Sequence, residues 1–248
     1  ERLYPGGARN MGIREASHDN LIFIDCGITI QTAVIDECIK KAGSCDILWF
    51  KPDYSFKYDS ERAYLRPYHN CKYRKFVRHC MINKRVFQKI GYFRENLRAA
   101  EDWIFYKLVE KSELNVKFSQ VEGKYSGFPK NPLQFMKKWI LYFEHSVYAR
   151  LHRRNIMHTI LQLLFIAAVT VVLSLVLNSV LLSLAMAVLL YILARAAFSF
   201  YRSRISPAGL KDICLTVLTS LLLEVARATG VFSGLIKSRK KGTGSGNG

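Results

Sequence analysis

The feature that most constrains the fold is an uncharged apolar run of 39 residues, from Ile156 to Ala194, without Asp, Glu, Lys or Arg. A helix needs about 20 apolar residues to cross a bilayer, so the run predicts two membrane spans rather than one. Asn178-Ser179 falls near its middle and is the predicted hairpin point. The alternative is a buried helical core of a soluble protein, which an uncharged run of this length disfavours.

The charge distribution predicts the orientation of this hairpin. The chain carries 37 Lys and Arg against 19 Asp and Glu, a formal charge of +18. Residues 150–248 hold 12 of the basic and 2 of the acidic side chains, an excess of +10. These basic residues lie on both sides of the run, so the positive-inside rule places both ends in the cytoplasm. A basic soluble module would indicate nucleic-acid binding, but charges that bracket apolar segments indicate a membrane and no nucleic acid.

A third apolar segment, from Ile213 to Ile236, leaves the number of spans at two or three. Gly230 and Gly234 form a G-x-x-x-G pattern that permits close helix packing. Four basic residues follow at positions 237–241. If the segment crosses the membrane, these charges lie outside, against the rule, and a re-entrant or interfacial helix avoids that conflict.

Four regions follow from these patterns. Residues 1–130 are expected to form an α/β domain, because short apolar strands alternate with helical periodicity. Residues 131–155 mix aromatic and basic residues at helical spacing and predict an amphipathic helix at the membrane surface. Residues 156–236 form the membrane region, and residues 237–248 a basic flexible tail. The basic aromatic run at 69–79 is either a solvated face or a surface that steers anions.

Asp25 directly follows the apolar strand LIFI, residues 21–24. Ligands of open α/β sheets bind beyond the carboxyl ends of the strands, where a carboxylate can hold a divalent cation and its diphosphate. The structural alternative is a turn-forming Asp before Gly27.

Two further stretches carry candidate site residues. Arg9 and Asn10 follow a glycine pair at the start of a predicted helix, which favours anion binding or, equally, a surface loop. Glu101 and Asp102 open another predicted helix. These acids either complement the helix dipole or include a general base.

Together these motifs resemble family 2 glycosyltransferases of the A-type fold. The matching residues are Ala8-Arg9-Asn10-Met11-Gly12 with Ala16, the strand that ends at Asp25, Ile90-Gly91-Tyr92-Phe93, and Glu101-Asp102. The resemblance covers about residues 5–130. It implies a partial, Rossmann-like nucleotide-diphospho-sugar transferase domain followed by transmembrane helices.

The resemblance also implies a function. It implies a membrane-bound, inverting hexosyltransferase of polysaccharide biosynthesis that moves a sugar from a nucleotide-diphosphate donor to a lipid-linked or glycan acceptor. Asp102, with Glu101, would take the acceptor proton; Arg9, Asn10 and Asp25 would bind the donor, and Asp25 would hold Mg²⁺ or Mn²⁺. The catalytic domain would face the cytoplasm from an inner or plasma membrane.

The sequence departs from the family pattern in three places. The D-x-D motif is Asp25-Cys26-Gly27, without its second carboxylate. The Q-x-x-R-W motif of processive synthases is absent, since residues 134–139 have neither the spacing nor the Arg. The first strand–helix–strand unit of the fold has no counterpart before Glu1, so an N-terminally truncated domain is expected. The alternative function is a non-catalytic basic membrane protein that binds anionic lipid or a partner enzyme.

Overall fold

A computed structural model describes residues 3–54, 56–67, 69, 79–149 and 151–243. The basic run at 69–79 and the end of the flexible tail lie mostly outside the described residues. The chain divides into two compact units, the first formed by residues 1–56 and 72–127 and the second by residues 57–71 and 128–248. Residues 57–71, expected within the α/β domain, are thus grouped with the C-terminal helices.

The first unit is mixed α/β. Its described residues form one five-stranded sheet of β1 (Asn20–Ile24), β2 (Ile28–Thr29), β3 (Ile47–Asp53), β4 (His79–Asn83) and β5 (Val116–Tyr125), in the order β1-β4-β3-β5-β2.

The strand directions decide where the site residues meet. Strand β4 is antiparallel to both β1 and β3, and β3 is parallel to β5. Strands β1, β3 and β5 therefore run the same way, and their carboxyl ends share one edge of the sheet. Asp25 follows β1 at this edge.

The helices of the first unit are α1 (Pro5–Glu15), α2 (Thr32–Lys41), α4 (Arg85–Ile90) and α5 (Glu101–Glu110). They cover both faces of the sheet. One core cluster joins Ile47 and Trp49 of β3 to apolar residues of α1, α4 and α5. Another joins Leu48 and Phe50 to α2. Because side chains alternate along a strand and both faces are covered here, the first four residues of β3, Ile47 to Phe50, are all apolar and buried.

The described part of the second unit is helical, with α3 (Asp59–Leu65), α6 (Pro132–Tyr148), α7 (His152–Leu177), α8 (Val180–Ser203) and α9 (Leu210–Thr243). Three of its described helices are long and apolar enough to cross a membrane: Asn155–Leu177, Val180–Ser203 and Leu210–Ser238. The predicted hairpin point is confirmed. Asn178 ends α7 in the left-handed conformation at φ 51°, and Ser179 caps α8 by accepting the Leu182 amide at 3.3 Å.

The G-x-x-x-G pair of α9 packs against α6. A Cβ added to Gly230 would lie 2.4 Å from the carbonyl oxygen of Ile140, and one added to Gly234 would lie 2.7 Å from that of Glu144. Lys237 of α9 then pairs with Glu144 at 2.8 Å. The C-terminal part of α9 thus packs along α6, which lies in the segment predicted at the membrane surface. One of the basic residues that follow the third apolar segment, Lys237, therefore has an acidic partner on α6.

The strand predicted at residues 21–24 occurs as β1, which begins one residue earlier. Strand β5 is long enough to pair with β2 at its carboxyl end, where Tyr125 lies opposite Ile28. Helix α3 was not predicted. Its seven residues are too few to show a helical period, and the Glu61 carboxylate stabilises its start by accepting the Tyr58 amide at 3.2 Å.

Candidate functional site

Arg9 joins two acids that are distant in sequence. Its Nη1 donates to Glu101 Oε1 at 2.6 Å, and its Nη2 to Asp25 Oδ1 at 3.1 Å. The side chains of Arg9 and Glu101 are 17% and 6% exposed, and that of Asp25 is 40% exposed. Three of the five predicted site residues therefore form one cluster at the edge where β1 ends.

Asn10 lies beside this cluster but points elsewhere. It is buried, its amide donates to the Phe93 carbonyl at 2.8 Å, and its oxygen accepts the Phe93 amide at 3.0 Å. It also donates to Glu95 Oε1 at 2.8 Å. Asn10 thus attaches α1 to the segment that follows α4. The guanidinium of the neighbouring Arg9 lies 5.5 Å from the Phe93 ring centroid.

Gly6 supports the same attachment. A Cβ at this position would lie 2.1 Å from the carbonyl oxygen of Arg94. The backbone of α1 can approach this segment closely only because the residue is glycine. Gly6, the first glycine of the pair before Arg9, therefore serves helix packing in this structure.

Asp25 is also the first residue of a tight turn. The Ile28 amide donates to the Asp25 carbonyl at 3.1 Å, and Gly27 has φ +102°. A Cβ on Gly27 would lie 3.1 Å from Cα of Gly127. The turn interpretation and the site interpretation of Asp25 are thus compatible, since the backbone forms the turn and the carboxylate contacts Arg9.

Glu101 and Asp102 begin α5 after a strained residue. Ala100 has φ 72°, the left-handed region that residues with a Cβ rarely adopt. Glu101 points to Arg9. Asp102 is partly exposed, its Oδ1 accepts the Trp103 amide at 2.7 Å, and it has no ion pair within the described residues. The Glu101 carboxylate is thus buried against Arg9, whereas the adjacent Asp102 carboxylate is partly exposed to solvent.

The burial of this cluster shifts two pKa values. Burial opposes the charge of Arg9, but the nearby Asp25 and Glu101 outweigh it and raise the pKa of the guanidinium. Burial, and then repulsion by Asp102, raise the pKa of Glu101, although the Arg9 hydrogen bond acts in the opposite direction. Arg9 therefore stays charged, while Glu101 holds its proton to a higher pH than an exposed glutamate.

The residues present do not fit a divalent cation held by the protein alone. Within the described part of the chain, no three His, Cys, Asp or Glu side chains cluster as metal ligands. Asp25 faces the Arg9 guanidinium, and the backbone at Gly27 leaves little room for a second carboxylate. In this structure the Asp25 carboxylate is paired with the Arg9 guanidinium. The binding of Mg²⁺ or Mn²⁺ by Asp25, which the family resemblance implies, stays a prediction.

A buried arginine in the second unit was not predicted. All five N–H groups of Arg66 are used, because Nε and Nη2 donate to the carbonyls of Ile205 and Ser206 and the two Nη atoms also donate to Asp212 and Thr216. Arg66 and Asp212 are both fully buried. A lone Asp near the start of an apolar segment was the available sequence signal, since a buried acid requires a partner.

Comparison with known proteins gives little further information. No family model matches this chain, and no curated protein matches it. Among solved structures, the crystal structure of S. aureus TarS 1-349 aligns with 96% of this chain and 72% of its own, at 14% identity and a TM-score of 0.37. A likeness this low transfers neither fold nor function.

Proposed function

We propose that this chain belongs to a membrane-bound inverting glycosyltransferase that moves a sugar from a nucleotide-diphosphate donor to a lipid-linked or glycan acceptor. The observation that carries the proposal is the link from Arg9 to both Asp25 and Glu101. It places a fixed cation and two acids at the sheet edge where ligands of α/β proteins bind.

Arg9 is suited to bind the diphosphate. A guanidinium donates in a planar fork that matches phosphate oxygens, and here Glu101 holds one arm. The other arm contacts the more exposed Asp25, so a phosphate oxygen can replace that partner. The cation then offsets the negative charge that grows on the departing diphosphate.

Asp102 is suited to act as the general base. It is the acid at the start of α5 that is not bound to Arg9, and it is partly exposed. In the proposed reaction an acceptor hydroxyl oxygen forms a bond to the anomeric carbon, and Asp102 takes the hydroxyl proton. The bond from that carbon to the diphosphate breaks with its electron pair, and the configuration inverts.

The three apolar helices support a membrane location for this activity. Two of them form a hairpin whose tip is uncharged and whose opposite ends carry basic residues, before Ile156 and after Ala194. The positive-inside rule favours a cytoplasmic catalytic domain, where nucleotide sugars are available.

A second candidate, a non-catalytic basic membrane protein, is favoured by one observation. The motif position that would carry a second metal-binding carboxylate is Gly27, and its tight turn excludes most side chains. In this interpretation Asp25, Arg9 and Glu101 are a structural ion-pair network.

Sugar transfer by the full-length protein in membranes distinguishes these candidates. The assay supplies a panel of nucleotide-diphosphate hexoses and measures both nucleoside diphosphate release and labelled lipid. We expect Asp102→Asn to lower turnover by about 10²–10⁴-fold, as loss of a general base does. The exposed Asp19→Asn is the matched control and should retain full turnover. Full activity of Asp102→Asn would exclude this residue as the base, and no activity with any donor would favour the non-catalytic protein.

A further inference from the structure

A cluster of charged side chains lies between the three apolar helices of the second unit. Arg195 of α8 donates from Nε to Glu224 Oε1 of α9 at 2.9 Å. Arg227, one turn further along α9, donates to the other oxygen of Glu224. Its Nη1 also lies 2.8 Å from Nδ1 of His158 on α7. Residues from three helices therefore form one group, here called the Arg195 cluster.

The Arg195 cluster carries more positive than negative charge. An arginine has only donors, so Nδ1 of His158 accepts and the imidazole is neutral. Two arginines and one glutamate then sum to +1 among the described residues of the cluster. The side chains of Arg195, Arg227 and Glu224 are 16%, 11% and 7% exposed, so water reaches this charge poorly. A charge in such surroundings is costly without an anion nearby.

Tyr191 provides a second, independent observation. Its hydroxyl is buried and has no hydrogen-bond partner among the described residues. Tyr191 and Arg195 are four residues apart on α8 and so share one face of the helix. The cluster thus combines excess positive charge with an unused O–H donor, which is what a phosphate oxygen requires.

The position of the cluster along the hairpin points to the source of the phosphate. Arg195 follows the tip at Ser179 by 16 residues, and His158 precedes Asn178 by 20. At 1.5 Å per residue these positions lie about 24 Å and about 30 Å from the tip. The hydrocarbon core is about 30 Å thick, so a hairpin that just spans it holds His158 at the boundary with the lipid headgroups on the basic side and the Cα of Arg195 about 6 Å below that boundary, within reach of a lipid phosphate for its long side chain.

We infer that the Arg195 cluster binds the phosphate of an anionic membrane lipid that enters between α7, α8 and α9. The phosphate brings the missing negative charge to the arginines and accepts the hydrogen bond of Tyr191. This inference does not depend on sugar transfer, because a non-catalytic protein with the same helices would hold the same lipid.

Lipid retention by the full chain tests the inference. The purified chain in mixed phosphatidylcholine and phosphatidylglycerol nanodiscs is extracted into detergent, and bound lipids are counted by native mass spectrometry. We expect preferential retention of phosphatidylglycerol, and about tenfold lower retention by Arg195→Gln or Arg227→Gln, since each removes a charge-assisted contact. The exposed Lys211→Gln changes the net charge equally and should retain the lipid as the unmodified chain does.

Two further variants separate lipid binding from a purely structural role. Glu224→Gln raises the formal charge of the cluster to +2 and should increase retention, whereas a structural role predicts a decrease. Tyr191→Phe keeps the volume of the side chain and should lower retention, and it decides the question if the arginine variants do not fold. Equal retention of both lipids, or equal loss in Arg227→Gln and Lys211→Gln, would overturn the inference. Release of the lipid by inorganic phosphate would show that the site takes the ion from solution instead.

Discussion

Asn10 and Phe93 exchange two hydrogen bonds, in which the side-chain amide of Asn10 pairs with the backbone N–H and C=O of Phe93. The pair fixes α1 against the segment that leads to α5. Arg9 is the neighbouring residue and bonds Glu101 at the start of α5. The hydrogen bonds of this buried side chain therefore hold the start of α1 close to the segment that leads to α5, next to the arginine that we propose binds the donor.

Asn10→Ala should destabilise the first unit and disturb the position of Arg9. The change leaves the buried N–H and C=O of Phe93 without partners, which costs about 1–3 kcal/mol. Urea unfolding of the chain in detergent, followed by tryptophan fluorescence, measures this loss. Met11→Ala, on the exposed side of the same helix, should change the free energy of unfolding by less than about 0.5 kcal/mol. Equal stability of the two variants would mean that the Asn10–Phe93 pair contributes little.

Arg9→Lys should keep the positive charge at this position but lose most of the sugar-transfer activity. A lysine ammonium lacks the planar fork that lets Arg9 contact Glu101 and Asp25 together. We expect kcat/KM for sugar transfer to fall by about a hundredfold, mostly through kcat, because the lost donor acts on the departing diphosphate. Arg14→Lys is the matched control, since Arg14 lies on the same helix and is half exposed. Wild-type kinetics in Arg9→Lys would exclude the proposed role.

The pH dependence of stability should carry the signature of Glu101. Burial and Asp102 raise its pKa in the folded state above the unfolded value, so the folded chain binds this proton more tightly. Glu101 therefore costs stability as the pH rises from its unfolded pKa through its folded pKa. Unfolding measured across that window should show Glu101→Gln gaining stability relative to wild type as the pH rises. Glu113→Gln, which makes the same chemical change at an exposed position, is the matched control.

Asp46 should make the stability of the fold depend on pH in the direction opposite to Glu101. Burial acts against its charge, but the Asn115 amide at 2.7 Å and Arg85 Nε at 2.6 Å outweigh it and lower its pKa. Its contribution is present above the unfolded pKa and is lost as the pH falls through the folded pKa. Asp46→Asn should therefore be less stable than wild type at neutral pH, with a difference that shrinks in acid. A difference that is constant with pH would contradict this assignment.

Gly27→Asp should fail to create a metal site. It restores the second carboxylate of the family motif, but Gly27 has φ +102° and its Cβ would lie 3.1 Å from Gly127. We expect a loss of about 1–3 kcal/mol in stability and no gain in Mn²⁺ affinity by calorimetry. Gly12→Ala is the control, because its Cβ meets nothing within 4 Å and should stabilise α1 by about 0.5–1 kcal/mol. Tight Mn²⁺ binding by Gly27→Asp would show that the turn can adapt.

Sequence patterns were sufficient where local physics decides the structure. The uncharged run, the Asn178-Ser179 hairpin and the β1 strand all follow from hydrophobicity and turn signals that neighbouring residues show directly. The Gly230 and Gly234 pair indicated close helix packing, and the structure identifies α6 as the partner.

The grouping of the acids and bases required tertiary structure. Arg9, Asp25 and Glu101 were each predicted as site residues, but their mutual contacts depend on strand directions that bring segments 16 and 92 residues apart together. Asn10 was predicted to bind the donor, and only the fold shows its side chain occupied by Phe93. Arg66 and the Arg195 cluster are likewise invisible to local patterns, because a buried charge is defined by partners that lie far along the chain. The sequence by itself determined which segments are buried, apolar and long enough to cross a membrane, and the tertiary structure decided which charges meet, since electrostatic partners are set by distance in space.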